Sequence, residues 1–274
     1  MNKLLIAVTF LLNGCTIHVA DNNPYKSFVK LSRVVHTMVC KQYQGHPECV
    51  ELAPVEFNAS GSIIAENEDH SFVLTAGHFC QAVEADPTKL DAVFGSNMIP
   101  LEAREFFSDA TFTSNFYSND YRGVKYYSRL IAYEVEQTDL CIVVTDRQMD
   151  FRPLQLADED PEFGERVYMA SAPMGIHYDG ATVLLSGFYS GMFWHPYFGK
   201  PSAAITDMPI LPGSSGAAIL NEDGEIVSAA YATNMRFPQE AAGVPLFQIR
   251  KFINEHLELG ERNYFREWFN KLFD

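Results

Sequence analysis

Positive charge is scarce in this sequence. Lysine and arginine number 20 against 35 aspartates and glutamates, which gives a formal net charge of −15 at pH 7. A protein that binds nucleic acid needs a basic surface to neutralise phosphates. The deficit therefore argues against DNA or RNA as a partner, and leaves basic or neutral polypeptides open.

Long apolar segments and metal-binding patterns are also missing. No segment approaches the ~18 apolar residues of a membrane-spanning helix. No histidine pairs with cysteine, aspartate or glutamate at a spacing typical of a metal site. The acidic residues 158–165 lack a calcium-loop pattern, and we interpret them as a solvated face between the two domains. We therefore expect neither a metal nor a cofactor.

Residues 1–20 are predicted to be an export segment. Lys3 gives a positive start, residues 4–12 form a nine-residue apolar stretch, and Gly14 and Cys15 follow. The sequence L-N-G-C is similar to a bacterial lipoprotein box, in which the cysteine is lipidated, although Asn13 stands where a small residue is usual. Lipidation of Cys15, and with it a membrane tether, is the prediction; ordinary secretion or no cleavage are the alternatives.

Four further cysteines fit an oxidising compartment. Their even number, once Cys15 is set aside, predicts a disulfide framework. Cys40 and Cys49 enclose a short polar loop and are predicted to pair. The remaining two are Cys80 and Cys141.

Short apolar segments separated by turns indicate an all-β fold from about Phe57 onward. Residues 108–127 show no periodicity and are predicted to form a long surface loop. Residues 221–224 (N-E-D-G) suit a hairpin turn, and Pro245 is expected to begin a helix that ends near His256. A second helix is suggested by an apolar stripe over residues 265–273. The predicted strands are residues 62–65, 71–75, 92–94, 99–101, 130–135, 140–144, 166–171, 181–190, 203–206, 217–220 and 225–231.

Residues 211–220, L-P-G-S-S-G-A-A-I-L, form the most informative stretch. Such a turn leaves backbone N–H groups unpaired beside a hydroxyl, and acyl transfer needs both, because negative charge develops on the carbonyl oxygen under attack. Upstream, T-A-G-H closes one apolar strand at His78, and T-D opens another at Asp139. A histidine, an aspartate and a serine therefore each stand at the end of a strand.

These motifs together resemble those of the trypsin-like (chymotrypsin-fold) serine endopeptidases. T-A-G-H is similar to their T-A-A-H, T-D-L-C-I-V-V to their D-L-A-L-L, and G-S-S-G-A to their G-D-S-G-G. The pair Thr206–Asp207 before the serine turn, and a P-L-x-L pattern over residues 153–167, are similar to the bacterial Deg/HtrA-type branch. The resemblance covers roughly residues 59–255, with no peptide-binding PDZ module expected after it.

The resemblance implies two six-stranded antiparallel β-barrels with a C-terminal helix or pair of helices. The N-terminal half would occupy residues 21–150 and the C-terminal half residues 151–274. Ser215 would be the nucleophile, His78 its general base, and Asp139 the group that orients the histidine. The N–H groups of Gly213, Ser214 and Ser215 would supply the oxyanion hole. The other histidines are interpreted as surface or loop residues: His18, His36, His46, His70, His177, His195 and His256.

If His78 and Asp139 meet, their neighbours Cys80 and Cys141 could form a bridge that staples the pair. The alternative is two buried free thiols.

The predicted substrate preference rests on positions where this sequence differs from the trypsin-like enzymes. The position of trypsin's specificity aspartate falls near Met208 and Pro209, with no acid, although Asp207 is close. The opposite pocket wall is predicted at Ser228, Ala229, Ala230 and Tyr231. These residues suggest a small or apolar side chain before the cut bond. Ser214 replaces the aspartate that switches trypsin-like zymogens on, so no such switch is expected.

The function predicted from the sequence is an exported serine endopeptidase that works through an acyl-enzyme intermediate. Its location would be the periplasm, with lipid anchoring to the outer membrane, or secretion as the alternative. A non-catalytic or latent binding protein on the same scaffold is the rival hypothesis, and an esterase is a third.

Overall fold

Twelve strands make up most of the described chain in this computed structural model, which describes residues 23–43, 46–82, 109–196, 199–234 and 237–257. The strands of the first half are β1 (Phe28–Tyr43), β2 (His46–Glu66), β3 (Ser71–Ala76), β4 (Asp109–Asn119), β5 (Lys125–Glu134) and β6 (Leu140–Thr145). Those of the second half are β7 (Arg166–Ser171), β8 (Val183–His195), β9 (Lys200–Thr206), β10 (Ala218–Leu220), β11 (Ile226–Asn234) and β12 (Phe237–Pro245). The described residues also contain two α-helices, α1 (Gly77–Cys80) and α2 (Leu246–His256), and short 3₁₀ helices at Pro24–Ser27 and Pro173–Gly175.

Each half closes into a six-stranded antiparallel barrel. The strand order is β1-β2-β3-β6-β5-β4 in the first barrel and β10-β11-β12-β9-β8-β7 in the second. The all-β, chymotrypsin-like architecture predicted from the sequence is confirmed, and so is the helix that begins after Pro245. The N-E-D-G turn also joins two paired strands, with Gly224 N–H donating to Asn221 O.

Three strands differ from the sequence-based prediction. The expected loop at residues 108–127 contains β4, which pairs with β1 from Lys30↔Asn119 to Cys40↔Asp109. Barrel closure requires this strand, and its aromatic and threonine residues suit a pleated surface. Strands β1 and β12 were not predicted at all. Residues 1–20 with Cys15, the predicted strands at 92–94 and 99–101, and the stripe at 265–273 lie outside the described residues.

Strands β3 and β6 are buried along their whole length. One face of each lines the interior of the first barrel, where Val73 and Val143 belong to one core cluster. The opposite face enters a core shared by both barrels and α2, which includes Leu74, Ile142 and Phe252. Burial on both faces explains why these strands read as continuous apolar runs.

The predicted disulfide between Cys40 and Cys49 is present, and so is the bridge between Cys80 and Cys141 that the sequence left as one of two alternatives. Cys40 and Cys49 face each other across the β1–β2 pair, and the bridge between Cys80 and Cys141 ties α1 to β6. The alternative of two free thiols at Cys80 and Cys141 is therefore wrong. Within the described ranges, no helix is both long enough and apolar enough to cross a membrane.

Candidate active site

His78 and Asp139 meet at one edge of the first barrel. Strands β3 and β6 pair in register up to Ala76↔Leu140, so the residues just beyond that end of the ladder are neighbours. The His78 ring Nδ1 lies 2.9 Å from Asp139 Oδ2 and 3.1 Å from Oδ1. The backbone N–H of His78 also donates to Asp139 Oδ1 at 2.7 Å. The carboxylate therefore fixes both the ring and the backbone that carries it.

The Asp139 side chain is only 7% exposed, whereas the His78 side chain is 42% exposed. A buried carboxylate interacts more strongly with a partner charge than an exposed one. Because Nδ1 faces Asp139, the other ring nitrogen of His78, Nε2, is free of that contact. The pair thus has the arrangement of a general base oriented by a buried acid.

A strained turn delivers Asp139 to this position. Its φ is +59°, in the left-handed region that non-glycine residues seldom occupy. Glu134 stabilises the turn by accepting hydrogen bonds from the N–H of Gln137 at 2.8 Å and from the Thr138 hydroxyl at 2.8 Å. Burial alone would raise the pKa of Glu134, but the hydrogen bonds from Gln137 and Thr138 outweigh it and lower that pKa.

The serine turn of the second barrel packs against the strand end that carries His78. Gly213 and Gly216 both have positive φ, +93° and +84°. A Cβ at Gly216 would lie 2.4 Å from Thr75 Oγ1 and 2.5 Å from Ala76 N. Only glycine permits so close an approach. Ser215, between these glycines, is partly exposed.

Ser60 on β2 ties this turn to the first barrel, a role the sequence did not reveal. Its hydroxyl donates to Gly213 O at 2.7 Å and accepts from Ala172 N–H at 2.9 Å. Its own N–H donates to Ser215 O at 2.9 Å. The residue is fully buried. One small polar side chain therefore connects β2, the serine turn and the segment that follows β7.

A second contact orients the peptide before Gly213. The N–H of Met174, in the short turn Pro173–Gly175, donates to Pro212 O at 2.5 Å. In a trans peptide the carbonyl and the following N–H point in opposite directions, so Gly213 N–H points away from Met174. Among the described residues, neither Gly213 N–H nor Ser215 N–H donates to a protein acceptor. Two donors of the turn are thus available to a ligand.

Ser214 differs from both of its neighbours. Its N–H donates to Leu211 O at 2.9 Å within the turn. Its side chain is fully buried, with the hydroxyl 3.5 Å from Ser171 Oγ. The N–H of Ser214 is therefore occupied, and we leave Ser214 out of the proposed oxyanion hole.

The Ser215 hydroxyl is not hydrogen-bonded to His78 in this structure, where no such bond joins the two described side chains. Catalytic hydrogen bonds are often long in an unliganded enzyme and tighten when substrate binds. What the structure brings together is the His78–Asp139 pair and the backbone of the serine turn.

The residues predicted to form the specificity pocket are mostly buried. Met208 is fully buried in the core of the second barrel, and Ser228 donates its hydroxyl to Val244 O at 2.8 Å. Ala229 and Ala230 are each 1% exposed. Pro209 alone among the six is exposed. We therefore leave Met208 and Ser228 out as direct substrate contacts.

Tyr231, the last of the six, belongs to a polar cluster that the sequence did not indicate. Its hydroxyl lies 2.5 Å from Ser202 Oγ, and the ammonium group of Lys200 lies 4.4 Å from the centre of its ring. Burial raises the pKa of Tyr231 to about 12. His195 was predicted to be a surface or loop residue, but it is buried on β8. There it lies opposite Lys200 in the register of the β8–β9 pair.

Comparison with known proteins gives the family. The trypsin-like peptidase domain matches residues 59–228, and the chain belongs to this family. It is a trypsin-like serine endopeptidase, a hydrolase whose substrates are polypeptides. A search of curated proteins finds no match.

Solved structures with the same fold include two forms of a Mycobacterium tuberculosis protease. The inactive serine-to-alanine mutant of Rv3671c is 12% identical, with a TM-score of 0.53 over 88% of this chain and 94% of that one. The active form of Rv3671c is 13% identical, with a TM-score of 0.54 over 85% and 82%. The HtrA-type protease AlgW, solved with a decapeptide, is 14% identical, with a TM-score of 0.55 over 84% and 64%.

Proposed function

We propose that the chain cuts peptide bonds through a triad of Ser215, His78 and Asp139. The observation that carries this proposal is the double contact of His78 with Asp139, at 2.9 Å to the ring and 2.7 Å to the backbone. It stands beside a serine turn packed on the same strand end. His78 thus acts as a base held in one orientation, and the serine turn offers the hydroxyl that this base activates.

In the first step Ser215 Oγ attacks the scissile carbonyl and passes its proton to His78 Nε2. Asp139 holds the tautomer with the proton on Nδ1 and stabilises the imidazolium that forms. The imidazolium then protonates the leaving amine, which departs and leaves an acyl-enzyme on Ser215. Water, deprotonated by the same histidine, releases the second product.

Gly213 and Ser215 N–H groups would stabilise the tetrahedral oxyanion. The hydrogen bonds of Pro212 O to Met174 and of Ser215 O to Ser60 support this role, because they fix the peptides of the turn from both sides. Loss of one such donor typically costs about 10²–10³ in rate.

A matched pair of serine variants tests the proposal. Hydrolysis of an unfolded protein such as reduced casein is compared for wild type, Ser215→Ala and Ser214→Ala. We expect Ser215→Ala to lower kcat by about 10⁴-fold or more, and Ser214→Ala to stay within about tenfold of wild type. Retention of activity by Ser215→Ala would overturn the triad, and ester hydrolysis without peptide cleavage would indicate an esterase.

The proposed preference is for a small or apolar side chain before the cut bond. Support comes from the uncharged side chains of Met208 and Pro209, where an acid would favour basic substrates, and from the small, buried side chains of Ala229 and Ala230. Asp207, which precedes Met208 in the sequence, is acidic and exposed. A peptide library should show no preference for lysine or arginine, and Asp207→Asn should leave the profile unchanged. Cleavage confined to basic residues would refute the preference.

Export to the periplasm, with a lipid anchor on Cys15, is proposed as the location. The two disulfides support an oxidising compartment. Mass spectrometry of the mature N-terminus tests it: a lipidated cysteine at position 15 is expected. An unmodified N-terminus beyond Cys15 would indicate ordinary secretion, and an uncleaved chain would contradict export by this signal.

A further inference from the structure

A buried arginine of the first barrel contacts the helical turn that carries His78. Arg33 lies on β1 and is only 5% exposed. Its Nη1 donates to two backbone carbonyls, Phe79 O at 3.0 Å and Gln81 O at 2.5 Å. Arginine is almost never fully buried unless it is paired. Here its partners are the backbone carbonyls that closely follow His78 in the chain.

The helix α1 is too short to hold its own shape. It is a single turn, closed by the N–H of Gln81, which donates to Gly77 O at 3.0 Å. An isolated turn of helix is unstable in water. The last carbonyls of a helix have no partner within it, and an arginine side chain can supply one. The position of His78 therefore depends on contacts that α1 makes with other elements.

Two of these contacts lead to β6 and the residue just before it. The backbone N–H of His78 donates to Asp139 Oδ1 at 2.7 Å, and Cys80 is bonded to Cys141. Arg33 reaches α1 from β1, which is not a neighbour of β6 in the barrel. Its contact therefore opposes a rotation of α1 about the two attachments at β6.

The guanidinium group of Arg33 is itself fixed in place. Its Nε donates to Ser114 Oγ at 3.0 Å, and its central carbon lies 5.4 Å from the centre of the Phe116 ring. Phe79 packs edge-on against the same ring, with 5.9 Å between ring centres. Within the described part of the chain, no carboxylate pairs with Arg33. Its charge is directed at the carbonyls of α1, and hydrogen bonds from a charged donor are stronger than neutral ones.

We infer that Arg33 is a positioning residue for the proposed reaction: by bridging the two carbonyls at the end of α1, it holds His78 in the orientation in which its ring faces Asp139. This inference rests on the proposed function. A displacement of about 1 Å in a reacting group can lower a rate by about 100-fold. Loss of the bridge should therefore slow the chemical step, in which His78 takes the proton of Ser215, and leave substrate binding almost unchanged.

The ring of His78 reports on its own position, independently of peptide cleavage. In protein labelled with ¹⁵N at histidine, the Nδ1–H that bonds Asp139 should give a low-field proton resonance, identified by its absence from Asp139→Asn protein. Arg33→Met has a side chain of similar length but no donors. We expect this variant to shift or broaden the resonance. An unchanged resonance in folded Arg33→Met protein would overturn the inference.

Arg147→Met is the matched control for this experiment. Arg147 also donates to a backbone carbonyl, Lys125 O at 3.1 Å, and lies over an aromatic ring, with its central carbon 4.4 Å from the centre of Tyr126. None of its described contacts is with α1. The His78 resonance should therefore be the same in Arg147→Met as in wild type.

Steady-state kinetics separate positioning from stability. We expect Arg33→Met to lower kcat by about 10- to 100-fold with KM nearly unchanged. Arg33→Lys keeps the charge but offers a single nitrogen, and should recover part of the loss. A purely structural role would lower stability to denaturant without changing kcat or the resonance of the folded protein, and would overturn the inference. Absence of cleavage by wild type would instead overturn the proposed function and leave the NMR comparison readable.

Ser114→Ala covers the case in which Arg33→Met does not fold. This variant keeps Arg33 but removes the acceptor of its Nε. We expect a shift of the same His78 resonance and a fall in kcat of about twofold to tenfold. Ser118→Ala is its control, because Ser118 is a buried serine of the same strand that bonds Ser128; it should change neither quantity. Equal resonances in Ser114→Ala and wild type would contradict the inference.

Discussion

The two barrels hold their parts of the site by different means. In the first barrel, His78 and Asp139 follow paired strand ends, contact each other directly and lie beside a covalent bridge between Cys80 and Cys141. In the second barrel, Ser215 stands on a turn with no covalent brace, held by hydrogen bonds from Ser60 and Met174. The orientation of His78 is therefore set within the first barrel. The position of Ser215 depends instead on hydrogen bonds from other segments of the chain to the serine turn.

The largest effect is expected from the first barrel. Asp139→Asn keeps the size of the side chain but removes the charge and the preference for one histidine tautomer, so kcat should fall by about 10⁴-fold. Asp207→Asn is the matched control, because Asp207 also has a positive φ, of 58°, and is exposed. It should remain close to wild type. A similar loss in both variants, measured by steady-state kinetics, would mean that the effect does not come from the triad.

The next effect concerns the hold on the serine turn. Ser60→Ala removes the bond to Gly213 O and leaves the buried N–H of Ala172 without its acceptor. We expect kcat to fall by about 10- to 100-fold with KM nearly unchanged, since the oxyanion donors lose their alignment. Ser62→Ala, a buried serine on the same strand with neither of these contacts, should retain activity. A loss expressed only in KM would contradict this account.

The disulfides separate stability from activity. Replacing Cys80 and Cys141 by alanine opens a loop of 61 residues, and replacing Cys40 and Cys49 opens one of 9. The first pair should therefore contribute more to the free energy of unfolding, about 4 kcal/mol against about 3 kcal/mol on loop-closure arguments. Denaturant unfolding measures this. Only the first replacement should also lower kcat; equal losses of activity would show that the Cys80–Cys141 bridge does not support the site.

The smallest effect is a pH dependence of stability at the second barrel's contact with the first. His177 Nε2 lies 2.9 Å from Asp120 O, while its buried Nδ1 has no partner among the described residues. Burial, with a smaller contribution from Lys30, lowers the pKa of His177 below 6.5. The unfolded chain then binds more protons, so stability falls as pH drops below about 6.5.

His177→Gln should flatten that decline, as measured by thermal unfolding between pH 7 and a pH below the lowered pKa of His177. A decline of equal slope in the variant would show that another group is responsible.

The same contrast explains what the sequence could and could not predict. The apolar runs that end in His78 or begin after Asp139 could be recognised in the sequence because β3 and β6 are buried on both faces. The neighbouring Cys80–Cys141 disulfide was one of two alternatives that the sequence left open. Strand β4 could not be predicted from the sequence, because its polar residues are positioned by pairing with β1 and show no alternating pattern of their own. Ser60 and Arg33 carry no local motif. Their roles come from contacts between segments far apart in the chain.

The central claim is that the Ser215 hydroxyl is activated by His78. It is tested most directly by reaction with a fluorophosphonate followed by peptide mapping. We expect one adduct, on Ser215, formed in Ser214→Ala as readily as in wild type. Failure to label folded wild-type protein, or an adduct on any other residue, would contradict it.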